Sequence, residues 1–262
     1  MNERLDTLLV KLNLVSTRSK AQDLIKKGKV RVDGKVVVKA SSKFTAEQEI
    51  LVDSSDLFVG RGAEKLRGAH EDFDISFEDK VVGDMGASTG GFTEYALLNG
   101  AKKVYAVDVG HDQLDSRLKS DSRVINLEGK NIKEGLNFGE KCDLVVIDLS
   151  FISLIQVIDP ILNILKNEGE LLALVKPQFE VGKEGLGKNG IVKSKKHIQK
   201  SLIVLYDEFL KRDLTVKFFS PCKIKGRTGN QEYFFYCLYG RNQEFLKREM
   251  IIDKLKDIII DE

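Results

Sequence analysis

Cysteine, histidine and long apolar runs are all scarce in this 262-residue chain, and each scarcity removes a class of protein. Cys142, Cys222 and Cys237 are odd in number and show no C-x-x-C spacing, which argues against a disulfide framework and a zinc ribbon. They read as reduced, buried small apolar residues of a cytosolic protein. His70, His111 and His197 are scattered, so no metal site is expected from them. No apolar stretch approaches the ~20 residues that cross a bilayer. The start, Met1 to Asp6, carries no apolar signal segment. A soluble, cytoplasmic chain with no membrane partner is therefore expected. Internal repeats and low-complexity segments are also missing. At 42% apolar and 31% charged residues, the composition is that of an ordinary globular protein, long enough for one large domain and a small one.

Net charge is only +2, but its distribution is uneven. Residues 1–43 hold eleven Lys and Arg against four Asp and Glu, and the remainder is mildly acidic. Such a module suits an anionic partner, nucleic acid before acidic membrane. Its candidate phosphate contacts are Arg4, Lys11, Arg18, Lys20, Lys26, Lys27, Lys29 and Arg31. Apolar residues at 5, 8, 9 and 12 predict a helix over 4–12. A second helix, capped by Ser16 or Thr17, should end at Gly28. Asp33-Gly34 between two β-runs (29–32 and 35–38) predicts a tight hairpin, and 49–52 a further strand. Ser54-Ser55-Asp56 begins a polar linker that Gly60-Arg61-Gly62 hinges to the larger part of the chain. The expected division is 1–58, a linker over 59–63, and 64–262.

From Lys80 onward, short β-runs alternate with helical stretches. Strands are predicted at 80–84, 103–108, 123–127, 143–148, 170–175, 214–221 and 232–239, and helices at 91–99, 111–118, 152–166 and 195–211. This alternation implies a mostly parallel sheet covered by helices on both faces. The last two strands, joined by a loop, should form an antiparallel edge, and a tail helix (244–260) should pack on the sheet.

Asp84-Met85-Gly86-Ala87-Ser88-Thr89-Gly90-Gly91-Phe92 comes after a strand and opens a helix. Its glycines allow close backbone approach and its helix start offers free N–H groups. The spacing is not G-x-G-x-x-G, and an acid at the strand end sits badly beside a pyrophosphate. It suits a cationic or zwitterionic ligand, such as the methionine part of S-adenosylmethionine, or else a tight turn with no ligand. Asp108 ends the second strand, where a carboxylate accepts hydrogen bonds from a ribose diol or caps a helix. Asn131 after the third strand is either an adenine-edge contact or a lone polar loop residue. Asp148 and Lys176 end buried strands, Glu232 opens one, and Lys65 lies in Arg61-Gly62-Ala63-Glu64-Lys65. Charges at the ends of buried strands are costly unless paired or used, and ligands bind at the carboxyl ends of such sheets. Gly182-Lys183-Glu184-Gly185-Leu186-Gly187-Lys188-Asn189 is one residue short of a P-loop, with Asn189 where magnesium needs a hydroxyl. It reads as a mobile basic loop, with Lys183 and Lys188 either near an RNA backbone or simply solvated.

The segments Asp84–Phe92, Val107–Gly110 with Gln113-Leu114, Asp148–Ser153, Val175–Glu180 and Gly229–Glu232 together resemble the TlyA family. These are S4-domain ribosomal RNA 2′-O-methyltransferases, also labelled haemolysin A, with an FtsJ-type catalytic domain. Arg4-Leu5-Asp6 and Val30–Gly34 resemble an S4 RNA-binding domain, so the likeness covers nearly the whole chain. Two positions depart from it. Glu128-Gly129-Lys130 lacks the Arg-Thr usual before Asn131, and His111 stands where an aromatic is more usual. The resemblance implies an α/β fold: a Rossmann-like S-adenosylmethionine-dependent methyltransferase domain with a mostly parallel seven-stranded sheet, preceded by a small α+β S4 domain. It implies a catalytic set of Lys65, Asp148, Lys176 and Glu232. It places S-adenosylmethionine on Asp84, Gly86, Ala87, Ser88, Thr89, Gly90, Gly91, Phe92, Asp108, Val109, Asn131 and Asp148. Ribosomal RNA or ribosomal subunits would be the partner, touched also by Arg61, Lys183 and Lys188, with no obligate protein partner. The implied reaction is 2′-O-methylation of a ribose, a cytidine's, in ribosomal RNA. Its rivals are a non-catalytic RNA-binding or ribosome-associated protein, a membrane-active cytolysin, and a base methyltransferase. The last would carry a catalytic Cys or an Asn/Asp-Pro-Pro-Tyr/Phe-like segment, and Asp148-Leu149-Ser150-Phe151 is neither.

Overall fold

The computed structural model describes residues 2–12, 14–15, 17–52, 58–240 and 246–260, without the side chains of 257–260. The chain divides into two compact units, Met1–Phe58 and Val59–Glu262.

In the smaller unit, strand β1 (Glu3–Arg4) leads into helices α1 (Leu5–Lys11) and α2 (Arg18–Lys26). Strands β2 (Val30–Val32), β3 (Lys35–Val36), β4 (Lys43–Phe44) and β5 (Ile50–Val52) come next. Thr17 caps α2, its hydroxyl accepting the Lys20 N–H at 3.2 Å; Ser16, the other candidate cap, lies outside the described residues, as do Ser54–Asp56. Asp33 and Gly34 both take positive φ (49° and 75°), as a two-residue hairpin turn requires. The strands form one sheet of order β3-β2-β5 and a separate pair, β1-β4. Leu5, Leu9, Val15, Ala21, Leu24, Ile25, Val30 and Val32 fill the core of the unit.

The larger unit opens with helix α3 (Arg61–Phe73), where the sequence pattern predicts no helix. Gly62 and Gly68 lower its helix propensity and make 59–63 read as a linker. The fold uses the first of them for packing. A Cβ at Gly62 would meet the Phe92 ring at 3.2 Å, and one at Gly91 would meet Ala63 N at 2.8 Å. Strands β6 (Val81–Met85), β7 (Lys103–Val107), β8 (Val124–Leu127), β9 (Cys142–Ile147), β10 (Leu165–Val175), β11 (Leu214–Pro221) and β12 (Tyr233–Tyr239) form one sheet. Its order is β11-β12-β10-β9-β6-β7-β8. Five strands, β10, β9, β6, β7 and β8, run parallel, while β12 is antiparallel to both its neighbours. Helices α4 (Gly91–Leu98), α5 (Ser116–Lys119), α6 (Ile158–Leu162), α7 (Lys195–Leu210) and α8 (Arg248–Ile260) connect or flank the strands. No helix among the described residues is long and apolar enough to cross a membrane.

Two predicted helices shrink. The 111–118 helix is only α5, because Asp115 caps a late start, accepting the Arg117 N–H at 3.0 Å. The 152–166 helix breaks into a 3₁₀ turn (Leu154–Gln156) and α6, since Pro160 cannot donate and its ring would strike the carbonyl four residues back. The tail helix begins at Arg248, and its expected first residues, 244 and 245, lie outside the described ones.

Candidate active site

The order of the strands explains how four distant charges meet. β9 and β10 are parallel neighbours, so Asp148 and Lys176 emerge side by side from their carboxyl ends. β12 runs the other way, with Tyr233 opposite Val175, and this brings Glu232 to the same end. Helix α3 supplies Lys65 from above. Lys65 Nζ donates to Glu232 Oε2 at 2.7 Å and stands 3.9 Å from Asp148 Oδ2. Lys176 Nζ lies 2.6 Å from Asp148 Oδ1, an ion pair without an aligned hydrogen bond, and donates to Ser150 Oγ at 2.8 Å. Lys65, Lys176 and Glu232 are buried, whereas the Asp148 side chain keeps 20% of its surface. Two cations and two carboxylates thus balance, and Asp148 is the most exposed of the four. Gly226 has to be glycine for Glu232 to take its place, because a Cβ there would come within 2.6 Å of Glu232 Oε1.

The glycine turn lies at the neighbouring strand end, where the strand order reverses between β6 and β9. Gly86 has φ 90°, and a Cβ on it would stand 2.8 Å from the Asp148 carbonyl, so the turn and the quartet touch through this residue. Asp84 at the end of β6 is 1% exposed. Its Oδ2 accepts the Thr93 hydroxyl at 2.7 Å, while Oδ1 has no partner among the described residues. Burial, chiefly, pushes this carboxyl up to about 7, against the pull of Thr93. An orphaned, buried carboxylate oxygen at the mouth of a glycine turn fits a ligand that brings its own cation. Asp108 is gripped by backbone alone, Oδ2 accepting Ser88 N–H at 2.8 Å and Oδ1 Gly110 N–H at 2.7 Å. Its carboxylate is thereby aimed, with acceptor capacity left for a diol.

The other expected site residues have these surroundings. The Phe92 ring is buried against α3, and Val109 is 71% exposed. Asn131 is exposed and caps a 3₁₀ turn, accepting the Lys133 N–H at 3.1 Å. In the smaller unit Arg4 and Arg18 converge on Asp6, whose Oδ2 takes their donors at 2.9 and 3.0 Å. Lys11 pairs with Glu3, Lys27 with Asp23, and Lys20 donates to the Phe58 carbonyl. Lys26 is exposed, Lys29 half-buried, and Arg31 reaches the Gly34 carbonyl. In the larger unit Arg61 donates to the Lys225 carbonyl at 2.9 Å. The loop expected at 182–189 carries two 3₁₀ turns and closes on one antiparallel bridge. Leu186 bridges Val192, and Asn189 and Gly190 form its tip at φ 61° and 71°. Lys183 and Lys188 are exposed on it. The buried amide of Asn230 ties it down, accepting Val192 N–H and donating to the Gly190 carbonyl. Ser150 and Asn230 lie in the family-like segments but are not singled out as site residues, because their contacts exist only between parts of the chain far apart in sequence, and Thr93 is missed although it lies nine residues from Asp84. Among the described residues no cluster of His, Cys, Asp and Glu could hold a metal.

A seven-stranded sheet of this order, with a glycine turn and two acids at its switch point, is that of a Rossmann-like methyltransferase. A Listeria monocytogenes structure described as an S-adenosylmethionine-dependent methyltransferase shares the fold at 15% identity, with TM-score 0.52 over 67% of this chain and all of that one. The chain itself belongs to the FtsJ-like methyltransferase family, matched over residues 58–239, and an S4 domain is matched over residues 3–50. It is 41% identical over 241 residues to the 16S/23S rRNA (cytidine-2′-O)-methyltransferase TlyA of Mycobacterium tuberculosis, covering 89% of this chain and 88% of that one. It is 38% identical over 238 residues to Hemolysin A of Brachyspira hyodysenteriae, covering 88% and 97%. A solved Streptococcus thermophilus protein described as a hemolysin matches all of this chain and 99% of that one, at TM-score 0.71 and 34% identity.

Proposed function

We propose that this chain methylates the 2′-hydroxyl of a ribose, a cytidine's, in ribosomal RNA, using S-adenosylmethionine, with Lys65, Asp148, Lys176 and Glu232 as its catalytic group. The observation that carries the reading is the balanced quartet set against the glycine turn, in a chain so like rRNA 2′-O-methyltransferases. When bound, the sulfonium of the cofactor supplies an electrophilic methyl group. A ribose hydroxyl is a poor nucleophile and has to be aligned and relieved of its proton. Lys176, held by Asp148 and Ser150 at the open side of the quartet, orients that hydroxyl. Lys65, paired with Glu232, holds Asp148 in line, and the proton released from the hydroxyl leaves through this charged set to solvent. Asp84 and Asp108 are the residues that would hold the cofactor's ammonium and ribose ends. Phe151, 91% exposed beside Ser150, offers a flat face on which a base could stack. The basic smaller unit is read as an RNA-binding module, with Arg4 and Arg18 as its paired phosphate contacts.

Lys176→Ala tests the assignment. Methyl transfer to ribosomal subunits should fall by roughly 100- to 10,000-fold, while calorimetry should find cofactor affinity at the wild-type level. Wild-type turnover in that variant would refute the role given to the quartet.

A further inference from the structure

Glu180 is a part-buried carboxylate that the proposed chemistry leaves unused. Its two oxygens are both occupied, Oε2 by the Ser153 hydroxyl at 2.6 Å and Oε1 by the Leu154 N–H at 2.9 Å. Burial pushes this carboxyl up in spite of those bonds. Ser153 Oγ in turn accepts the Ile155 N–H at 3.3 Å, so its proton is directed at Glu180. Glu180 and Lys176 bracket a single 3₁₀ turn, Pro177–Phe179. They grip the same neighbouring loop at opposite ends. Lys176 holds Asp148 and Ser150, and Glu180 holds Ser153 and Leu154.

Between those two grips stands Phe151 with φ 65°. An aromatic in the left-handed region is strained and persists only where its surroundings dictate it. Here the surroundings are the two side-chain grips and the Phe179 ring, 5.1 Å from the Phe151 ring. We propose that Glu180 is a positioning residue for methyl transfer: by holding Ser153 and Leu154 it keeps the 148–154 loop in the shape that presents Asp148 and Ser150 to Lys176 and turns Phe151 outward. The proposal rests on the catalytic reading of Asp148 and Lys176. The alternative is a structural cap for the 3₁₀ turn at 154–156 and nothing more. Behind Glu180 lies a cavity of about 540 Å³ between residues 180–184 and α7. Truncating the side chain would therefore open onto space already present, which makes a folded variant the expected result.

The experiment compares Glu180→Ala, Ser153→Ala, the double variant and Lys176→Ala. It measures melting temperature, S-adenosylmethionine affinity by calorimetry, and kcat and KM for ribosomal subunits, with kcat normalised to the cofactor-binding fraction. Glu180→Ala should bind cofactor as the wild type does and lose roughly tenfold or more in normalised kcat, a loss of the size one positioning contact commonly carries. Ser153→Ala should lose less, and the double variant no more than Glu180→Ala alone, because both act through one contact. A structural cap would lower the melting temperature without changing normalised kcat. That result, or additive losses in the double variant, would overturn the proposal. If Glu180→Ala does not fold, Ser153→Ala decides by the same criterion. An active Lys176→Ala would instead bring down the reading beneath it, whatever Glu180 does.

Discussion

Each unit of this protein buries an aspartate, and the two are opposites. Asp6 of the smaller unit has no accessible surface, yet it lies shallow, beneath two half-exposed guanidinium groups. Arg4 binds it with two nitrogens, and Arg18, Gln22 and the Thr7 hydroxyl also donate to it. Chiefly through the Arg4 hydrogen bonds, its carboxyl is held well below the usual carboxylate range. Asp84 of the larger unit has one hydroxyl donor and one orphaned oxygen, and burial drives it up to about 7. A buried charge that has found its partners is architecture. One that still lacks them marks a place where a ligand completes the structure.

Replacing Asp84 should produce the larger effect. Asp84→Asn removes a charge-assisted contact of about 1.5–3 kcal/mol, so cofactor affinity should drop roughly 10- to 100-fold, read by calorimetry. An unchanged affinity would make Asp84 as structural as Asp6. Asp6→Asn should leave cofactor binding alone and destabilise the smaller unit by about 1–3 kcal/mol, seen as faster amide exchange in α1. Weaker RNA binding with a shallower salt dependence should accompany it, as Arg4 and Arg18 lose their common anchor.

Acidity separates the two by sign. Asp84 is raised from its ordinary value of 3.8, so its neutral form favours the folded apo-protein below that value. This contribution should fade as pH rises toward about 7. Cofactor affinity should move the other way, rising with pH until about 7 and then levelling, as the carboxylate becomes available to a cation. Asp84→Asn should flatten both trends. Asp6 is depressed, so its contribution is present above the ordinary carboxylate value and lost as pH falls below it. The smallest effect is expected at Asn131, whose observed role is a cap. Asn131→Ala should cost about 0.5 kcal/mol of local stability and leave cofactor affinity intact, and a clear loss of affinity would restore it to the cofactor site.

Much of this contrast can be anticipated along the chain and part of it cannot. The alternating β-runs, the glycine turn and the strand-end acids Asp84, Asp108 and Asp148 are legible because each is a local pattern with a local cause. Helix α3 is hidden in the sequence because of its two glycines, poor helix formers, of which Gly62 is there for the close approach of Phe92 and α4. Apolar spacing extends the 152–166 helix too far, since periodicity carries no record of the break that Pro160 imposes. The basic residues of the smaller unit look like one set in the sequence, whereas Arg4 and Arg18 share Asp6 and Lys11 and Lys27 pair with other acids.

Periodicity and turn chemistry act over a few residues. The chain alone therefore dictates the two-part organisation, the α/β alternation and the identity of the charges at the strand ends. Which of those charges meet is a matter of strand order. Reversal of β12 carries Glu232 to Lys65, and the β9–β10 pairing sets Lys176 beside Asp148 and Ser150. Tertiary structure likewise makes Asp6 satisfied and leaves Asp84 wanting, because α2 folds back to bring Arg18 and Gln22 to Asp6, whereas burial at the end of β6 leaves Asp84 with Thr93 alone.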